Sequence, residues 1–339
     1  MHVFLKMDSW PTWTLPFVFL LYYCRNAVLG FDTLERLRRE HSLMKPYQGA
    51  GMAIPQWDFI GSTMVTSNFI RLTPDIQSKQ GALWNNVPCY ITKWEMHVQF
   101  QVHGHGRDLF GDGFTIWYTK ERMRLGPIFG NQNPFTGLAV FLDTYNNYNG
   151  AHNHDHPYVS AMVNNGSGSY DHDRDGTHTQ LAGCTAKFRG KAHPANIAIR
   201  YEPSVLRVSL DIDGKSEWTE CFKVENVELP TGYYFGISAA TGDLSDNHDI
   251  ISLKFYNLEE HPDPNLSMSR SDIIPSALHA EKDRAHVNDV PPPLASRVAH
   301  SGLKIFGYVI LVIIIGIILV FGGIFLYQYK KEDRRKRFY

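Results

Sequence analysis

Outside its last twelve residues the sequence has no basic patch, and its formal net charge is −1, which argues against nucleic acid as a partner. No long helical period appears between residues 41 and 260, so helical bundles and folds with crossover helices are excluded. A glycosidase on a β-sandwich needs two carboxylates roughly 5 to 10 Å apart beside a cleft. No Glu-x-Asp-x-Glu or comparable pair lies on an alternating strand, and no serine nucleophile elbow is present, so catalysis is the weaker reading. There is no internal repeat, and residues 261–302 hold no heptad pattern to zip copies together, so a monomer is expected. Cysteine is sparse: Cys24, Cys89, Cys184 and Cys221 are the only four.

What is present first is a run of 23 uncharged, almost wholly apolar residues, 305–327. As a helix it would extend about 34 Å, enough to cross a hydrocarbon core of about 30 Å. We therefore expect a transmembrane helix over 304–327 and a tail of twelve residues, 328–339, six of them basic against two acidic. The positive-inside rule puts that tail in the cytoplasm. Residues 15–24 have the length of a signal-peptide core, so 1–30 reads as a signal peptide, with an uncleaved signal anchor as the alternative. Either way, the region from 31 to about 302 faces a lumen.

In an oxidising lumen Cys184 and Cys221 are the expected pair, since they flank two strand-like runs, 196–201 and 205–212, able to bring the chain back to its start. Cys89 is left as a buried free thiol, with intermolecular pairing open. N-glycosylation acceptors occur at Asn165 (Asn165-Gly166-Ser167) and Asn265 (Asn265-Leu266-Ser267), both on the luminal side. Period-two alternation in 94–102, 113–118, 197–201 and 251–256, with turns rich in Gly, Asn and Asp between, predicts an all-β antiparallel sandwich over 31–260. Residues 261–303, rich in Pro, Asp, Ser, His and charge, read as a flexible stalk.

Two oxygen-rich loops follow strand-like runs: Asp143-Thr-Tyr-Asn-Asn-Tyr-Asn149 and Tyr170-Asp-His-Asp-Arg-Asp-Gly176. Asp143, Asn147 and Asp175, with a backbone carbonyl between the first two, suit Ca2+, which takes oxygen ligands; ordinary Asn/Asp turns are the alternative. His152-Asn-His154-Asp-His156 invites zinc, but alternate histidines in a loop define no geometry, and a solvated loop is expected there.

The motifs Trp57-Asp-Phe-Ile-Gly-Ser-Thr63, Gly111-Asp-Gly-Phe-Thr-Ile-Trp-Tyr118, Phe141-Leu-Asp-Thr-Tyr145, Leu181-Ala-Gly-Cys184, Thr231-Gly-Tyr-Tyr-Phe-Gly236 and Thr241-Gly-Asp-Leu-Ser-Asp246, together with the terminal Lys-Arg-Phe-Tyr, resemble the leguminous-type (L-type) lectins of the animal early secretory pathway. The similarity is greatest to their vesicular integral membrane branch and runs from the luminal domain through the tail. The resemblance implies a legume-lectin-like jelly roll that binds high-mannose N-glycans on glycoprotein cargo with Ca2+. It further implies metal ligands at Asp143, the carbonyl of Tyr145 (where a Phe is commoner), Asn147 and Asp175, and sugar contacts at Ser78, Asp112, Asn147, His172, Gly242, Asp243 and Leu244. Asp112 and Asp243 would accept from vicinal hydroxyls, Gly242 and Leu244 would offer backbone groups, and the His172 ring would donate or accept. A proton on His172 in a mildly acidic compartment would change that bonding and favour release.

In the tail, Phe338 and Tyr339 match aromatic export signals and Arg334, Arg335, Lys336 and Arg337 basic retrieval signals, each read by vesicle coat components. The expectation is a non-enzymatic, single-pass type I membrane lectin of the endoplasmic reticulum, intermediate compartment or Golgi, acting in cargo sorting, transport or quality control. A carbohydrate-active enzyme on the same sandwich, and a membrane scaffold or trafficking regulator with a degenerate sugar site, stay open as competitors.

Overall fold

The alternation read from the sequence is cleanest in Trp94–His103, where buried and half-buried residues take turns over all ten positions. The computed structural model describes residues 36–47, 53–148, 150, 154–261 and 264–278. They form two antiparallel sheets. The seven-stranded sheet runs in the order β1 (Trp57–Gly61), β4 (Gln80–Asn85), β13 (Tyr234–Ala240), β6 (Gly113–Thr119), β7 (Thr136–Asp143), β8 (Tyr158–Asn165), β9 (Ala182–Thr185). The eight-stranded sheet runs β15 (Ser276–Ala277), β12 (Thr219–Glu228), β11 (Ser204–Asp211), β10 (Ala195–Glu202), β5 (Trp94–His103), β14 (Asn247–Asn257), β3 (Ile70–Thr73), β2 (Met64–Val65).

The main core lies between the sheets and includes Leu83, Trp94, Val98, Phe100, Phe114, Ile116, Val140, Ile199, Val208, Phe235 and Phe255. A second cluster, Trp84, Trp117, Ile128, Phe129, Phe135, Ala139, Phe141, Met162 and Tyr170, covers the other face of the seven-stranded sheet. Loops supply Ile128, Phe129, Phe135 and Tyr170, which is why every residue of β6 is buried, although the alternation read over 113–118 predicted a strand with only one face covered.

Cys184 and Cys221 form the expected disulfide, joining edge strand β9 of one sheet to β12 of the other. Cys89 is the buried free thiol, and burial pushes it up to about 12. The stretch read as a stalk begins inside the fold. Pro264–Ser269 forms a helix, α1, and β15 pairs with β12. Arg270 reaches Glu228 Oε2 (2.8 Å), the hydroxyl of Tyr201 (3.0 Å) and the carbonyl of Leu229 (3.2 Å). The signal region 1–30, the later stalk, the apolar run 305–327, and Arg334, Arg335, Lys336, Arg337, Phe338 and Tyr339 lie outside the described residues. Among the described residues, no helix is long and apolar enough to cross a membrane.

Candidate functional site

Strand register builds the site. Gln80, Ala240, Gly113, Asp143 and Tyr158 pair in succession across five neighbouring strands, forming one row at a single end of the seven-stranded sheet. Segments entering or leaving that row therefore emerge side by side: Ser78 before β4, Gly242–Leu244 after β13, Asp112 before β6, Tyr145 and Asn147 after β7, and His156 before β8. Gly113 sits at φ +135°, and a Cβ there would fall 2.3 Å from the Leu142 carbonyl, so the close approach of β6 to β7 at this end requires glycine.

Asp143 and Asp175 are each only 4% exposed. The Tyr145 N–H donates to Asp143 Oδ1 (3.0 Å), curling the loop back over the carboxylate. Asp175 accepts from the N–H groups of Asn147 (3.1 Å) and Tyr148 (3.0 Å), locking the second loop to the first. Asp175 sits at φ +50°, closing the short 3-10 turn His172–Arg174. The next residue, Gly176 (φ +64°), would put a Cβ 2.3 Å from the Tyr170 ring, which stacks on Phe141 at 4.4 Å. The second loop is thereby seated on the outer apolar cluster. Burial, and then the Asp143 charge, hold the Asp175 carboxyl above its usual range.

Among the described residues, no Lys or Arg pairs with these buried carboxylates; the basic group beside them is His156 Nε2, at 3.7 Å from Asp143 Oδ2 and 4.0 Å from Asp175 Oδ2. Asn147 Oδ1 is buried with no hydrogen-bond partner among the described residues. Two buried anionic groups and an orphaned amide oxygen turned into one loop junction are a donor set that fits a hard cation.

The glycan-side candidates converge on the same junction. Asp112 is half-buried; its carbonyl accepts from Thr144 N–H (2.9 Å), tying it to the cation loop. Burial raises its carboxyl to about 6, with the charges of Asp143 and Asp243 adding to the rise and His172 opposing it. A Cβ on Gly242 would stand 3.3 Å from Asp112 Oδ2, and one on Gly111 would stand 3.2 Å from Tyr145 Cβ and 3.5 Å from Leu244 Cβ. Exposed Ser78, at φ +55°, donates its N–H to the Gly242 carbonyl (3.0 Å), and Gln77 Nε2 donates to the Asp243 carbonyl (2.6 Å). His172 stands edge-on to Phe129 at 5.1 Å, its Nδ1 buried without a partner. All ten residues singled out for metal or sugar thus meet at one sheet end.

Sequence reasoning missed the supports. Asp75 accepts from Ser245 Oγ (2.6 Å) and from the N–H of His105 (2.8 Å), joining three loops. Arg189 grips Asp246. The reading of His152 to His156 as solvated fails at His156, which is buried because it enters β8 beside Asp143 rather than sitting at the loop's tip; His152 lies outside the described residues. Asn165, by contrast, is exposed, and its Oδ1 accepts from Ser167 Oγ (2.6 Å).

A two-sheet sandwich with polar loops gathered over one sheet end is a scaffold that carbohydrate-binding lectins use, and the likenesses that follow place the chain with those non-enzymatic proteins. The sequence model of the legume-like lectin family matches residues 34–264. Human VIP36-like protein is 48% identical over 311 residues, covering 91% of this chain and 87% of that relative. Human vesicular integral-membrane protein VIP36 is 47% identical over 334 residues, covering 97% and 92%. The solved VIP36 exoplasmic/lumenal domain in its Ca2+/Man2-bound form gives a TM-score of 0.68 at 53% identity, covering 72% of this chain and 98% of that one. Its metal-free form gives 0.67 at 52%, covering 71% and 99%. The chain belongs to the legume-like lectin family.

Proposed function

We propose that this chain is a Ca2+-dependent lectin for high-mannose N-glycans on glycoprotein cargo, acting in sorting, transport or quality control between the endoplasmic reticulum and the Golgi. The observation that carries the reading is the meeting of two buried carboxylates and an orphaned amide oxygen with Asp112, His172 and the Gly242–Leu244 loop at one sheet end. The mannose- and Ca2+-bound forms of VIP36, at 53% identity, support the choice of sugar and cation.

Asp143, the Tyr145 carbonyl, Asn147 and Asp175 would hold the ion, which when bound neutralises the carboxylates and fixes the two loops against each other. Asp112 and exposed Asp243 accept hydrogen bonds from neighbouring sugar hydroxyls, and Gly242 leaves the space between them open. Ser78, Asn147, His172 and the backbone of Leu244 complete the ring of partners. Charged-group hydrogen bonds of this kind contribute about 1.5–3 kcal/mol each.

In the membrane layout we propose, residues 1–30 are removed as a signal, the lectin domain faces the lumen, and 304–327 cross the bilayer. The tail 328–339 offers Arg334, Arg335, Lys336, Arg337, Phe338 and Tyr339 to vesicle coats. Asn165, in an open turn, carries a glycan of its own.

A glycan array with luminal residues 31–279, whose described part lies within one compact unit, tests the reading in Ca2+, in chelator, and with Asp143→Ala and Asp112→Asn. High-mannose binding lost in the last three arms is the expected result. No binding in any arm ends the lectin reading in favour of a scaffold working through its tail.

A further inference from the structure

Among the described residues, Cys184 and Cys221 make the one side-chain cross-link of covalent kind between the two sheets, and both are half-buried. They line a cleft of about 420 Å3 that opens where edge strand β9 faces the ends of β11 and β12. A small thiol can therefore approach the bond from solvent with the fold intact, and access is what separates exchangeable disulfides from inert ones. The charges in the cleft favour such a visitor. Asp213 is paired with Lys191 (3.1 Å) and Glu220 with Arg207 (2.9 Å), and buried Asp211 accepts from the N–H groups of Lys215 (3.0 Å) and Ser216 (2.9 Å). Lys187 and Lys215 line the same cleft with Glu217, and among the described residues no carboxylate pairs with their ammonium groups. Positive charge beside a disulfide assists the incoming and the leaving thiolate alike.

We propose that Cys184–Cys221 is an exchangeable disulfide, attacked in the folded protein by a small anionic thiol such as glutathione, and that its reduction loosens the cation loops. The attacking thiolate bonds to one cysteine sulfur as the Cys184–Cys221 bond breaks, and the other cysteine leaves as a thiolate that takes its proton from water. A second thiolate then bonds to the sulfur of the first, releasing a small-molecule disulfide and the second protein thiol. The effect reaches the cation loops through β9. This four-residue strand has a backbone partner on one side only, β8. The loop that carries Asp175 runs straight into it. Just beyond, the Thr185 hydroxyl and the Ala186 N–H donate to the carbonyls of Asp155 (3.2 Å) and Pro157 (2.9 Å), bracing the approach to β8. Linkage makes the coupling mutual: if reduction weakens Ca2+ binding, bound Ca2+ opposes reduction by the same factor. The inference rests on the lectin reading for its luminal setting and its cation loops.

The test uses the full chain in detergent, exposed to rising glutathione with and without Ca2+, quenched with iodoacetamide and mapped by mass spectrometry. Buried Cys89 serves as the internal gauge of unfolding. The expected result is a rate that climbs in proportion to thiolate concentration, a glutathione adduct on Cys184 or Cys221, and no label on Cys89. In glutathione redox buffers, Ca2+ should shift the balance toward the disulfide by about tenfold, and the reduced chain should bind Ca2+ about tenfold more weakly. Lys187→Gln/Lys215→Gln should slow the glutathione reaction at least about threefold while leaving reaction with uncharged dithiothreitol within about twofold. Reduction whose rate levels off and keeps pace with Cys89 labelling requires global unfolding and overturns the proposal, as does a redox balance that Ca2+ leaves unchanged. Glycan binding in Ca2+ is read on the same samples before reduction. Exchange as expected without glycan binding sinks the lectin reading alone, and glycan binding with unfolding-limited reduction sinks this inference alone.

Discussion

Arg189 and Asp246 form a two-pronged ion pair, Nε to Oδ2 at 2.7 Å and Nη2 to Oδ1 at 2.8 Å, with the carboxylate fully buried. Arg189 also donates to the Gly106 carbonyl (2.8 Å) and lies 3.7 Å from the Phe110 ring centroid. It thus clamps the 104–110 loop to the end of the loop that begins at Gly242. Arg189→Met would leave a buried charge without its partner, at a cost of about 3–5 kcal/mol. Urea unfolding should show that loss, and Arg189→Met/Asp246→Asn should recover more than half of it. Equal stability of wild type and Arg189→Met would mean the clamp contributes nothing.

The mutual repulsion of Asp143 and Asp175 gives a signature that needs no sugar. In chelator, Asp143→Asn should melt higher than the wild type, because one of two facing buried charges is gone. On adding Ca2+ to about a hundred times its dissociation constant, the wild type should gain about 2.7 kcal/mol and the variant nearly none. Thermal melts in both conditions check this. A variant that still gains from Ca2+ places the ion elsewhere.

Gly242 has an ordinary backbone φ, so a larger residue there meets side chains without straining the chain. Gly242→Val puts atoms against Asp112 Oδ2, in the space assigned to a sugar hydroxyl. High-mannose affinity should drop at least about tenfold, roughly 1.4 kcal/mol, with the melting temperature nearly unchanged. Retained affinity would move the sugar away from Asp112.

His248 gives the fold a dependence on acid. It is fully buried against Thr73 Oγ1 (2.7 Å), and burial holds its imidazole down at about 3. The unfolded chain takes up this proton near pH 6.5 and the folded chain only near pH 3, so the contribution is intact above pH 7 and shrinks as pH falls below about 6.5. At pH 5.5 the loss is about 1.4 kcal/mol. Asp112, raised to about 6, acts in the opposite direction, gaining stability as it protonates below that value. The His248 effect is therefore read as a difference: between pH 7.5 and 5.5 the wild type should lose about 1.4 kcal/mol more than His248→Gln. Parallel pH profiles for the two would refute it.

The disulfide and the lone thiol should behave as opposites. Cys184→Ser/Cys221→Ser opens a link spanning 37 residues and should cost about 4 kcal/mol on chain-entropy grounds. Cys89, buried and pushed up to about 12, should resist iodoacetamide until the chain unfolds. Labelling of Cys89 in the native protein would show that its pocket opens.

How far the sequence could be read varied with the range of the interactions. Trp94–His103 was legible because one face meets the core and the other meets solvent, which writes a period of two into the residues. Gly113–Thr119 was read as an alternating, half-buried strand, and the alternation misled about burial, since the outer cluster covers its second face. The cation loops were visible as runs of Asp and Asn, and the family resemblance placed the sugar candidates. The stalk boundary was misread because α1 has only six residues, too few to display a helical period, and because Arg270 is fixed by Glu228 and Tyr201, some 40 and 70 residues away in the chain. His156 was dismissed for a similar reason: only strand register, pairing Tyr158 with Asp143, reveals that it enters the sheet beside the carboxylates.

The outer apolar cluster bears on how such a site can change. Phe129, Phe141 and Tyr170 support His172 and the Asp175 loop from beneath, so those positions belong to a core as much as to a surface. Ser78 and Asp243 are exposed and rest on backbone bonds that a change of side chain keeps, provided the residue at 78 tolerates its φ of +55°. A lineage or an engineer altering sugar preference has freedom at the second pair and very little at the first. New specificities should therefore arise along the rim formed by the 75–79 and 242–245 loops, while the cation side stays fixed by the requirement to fold.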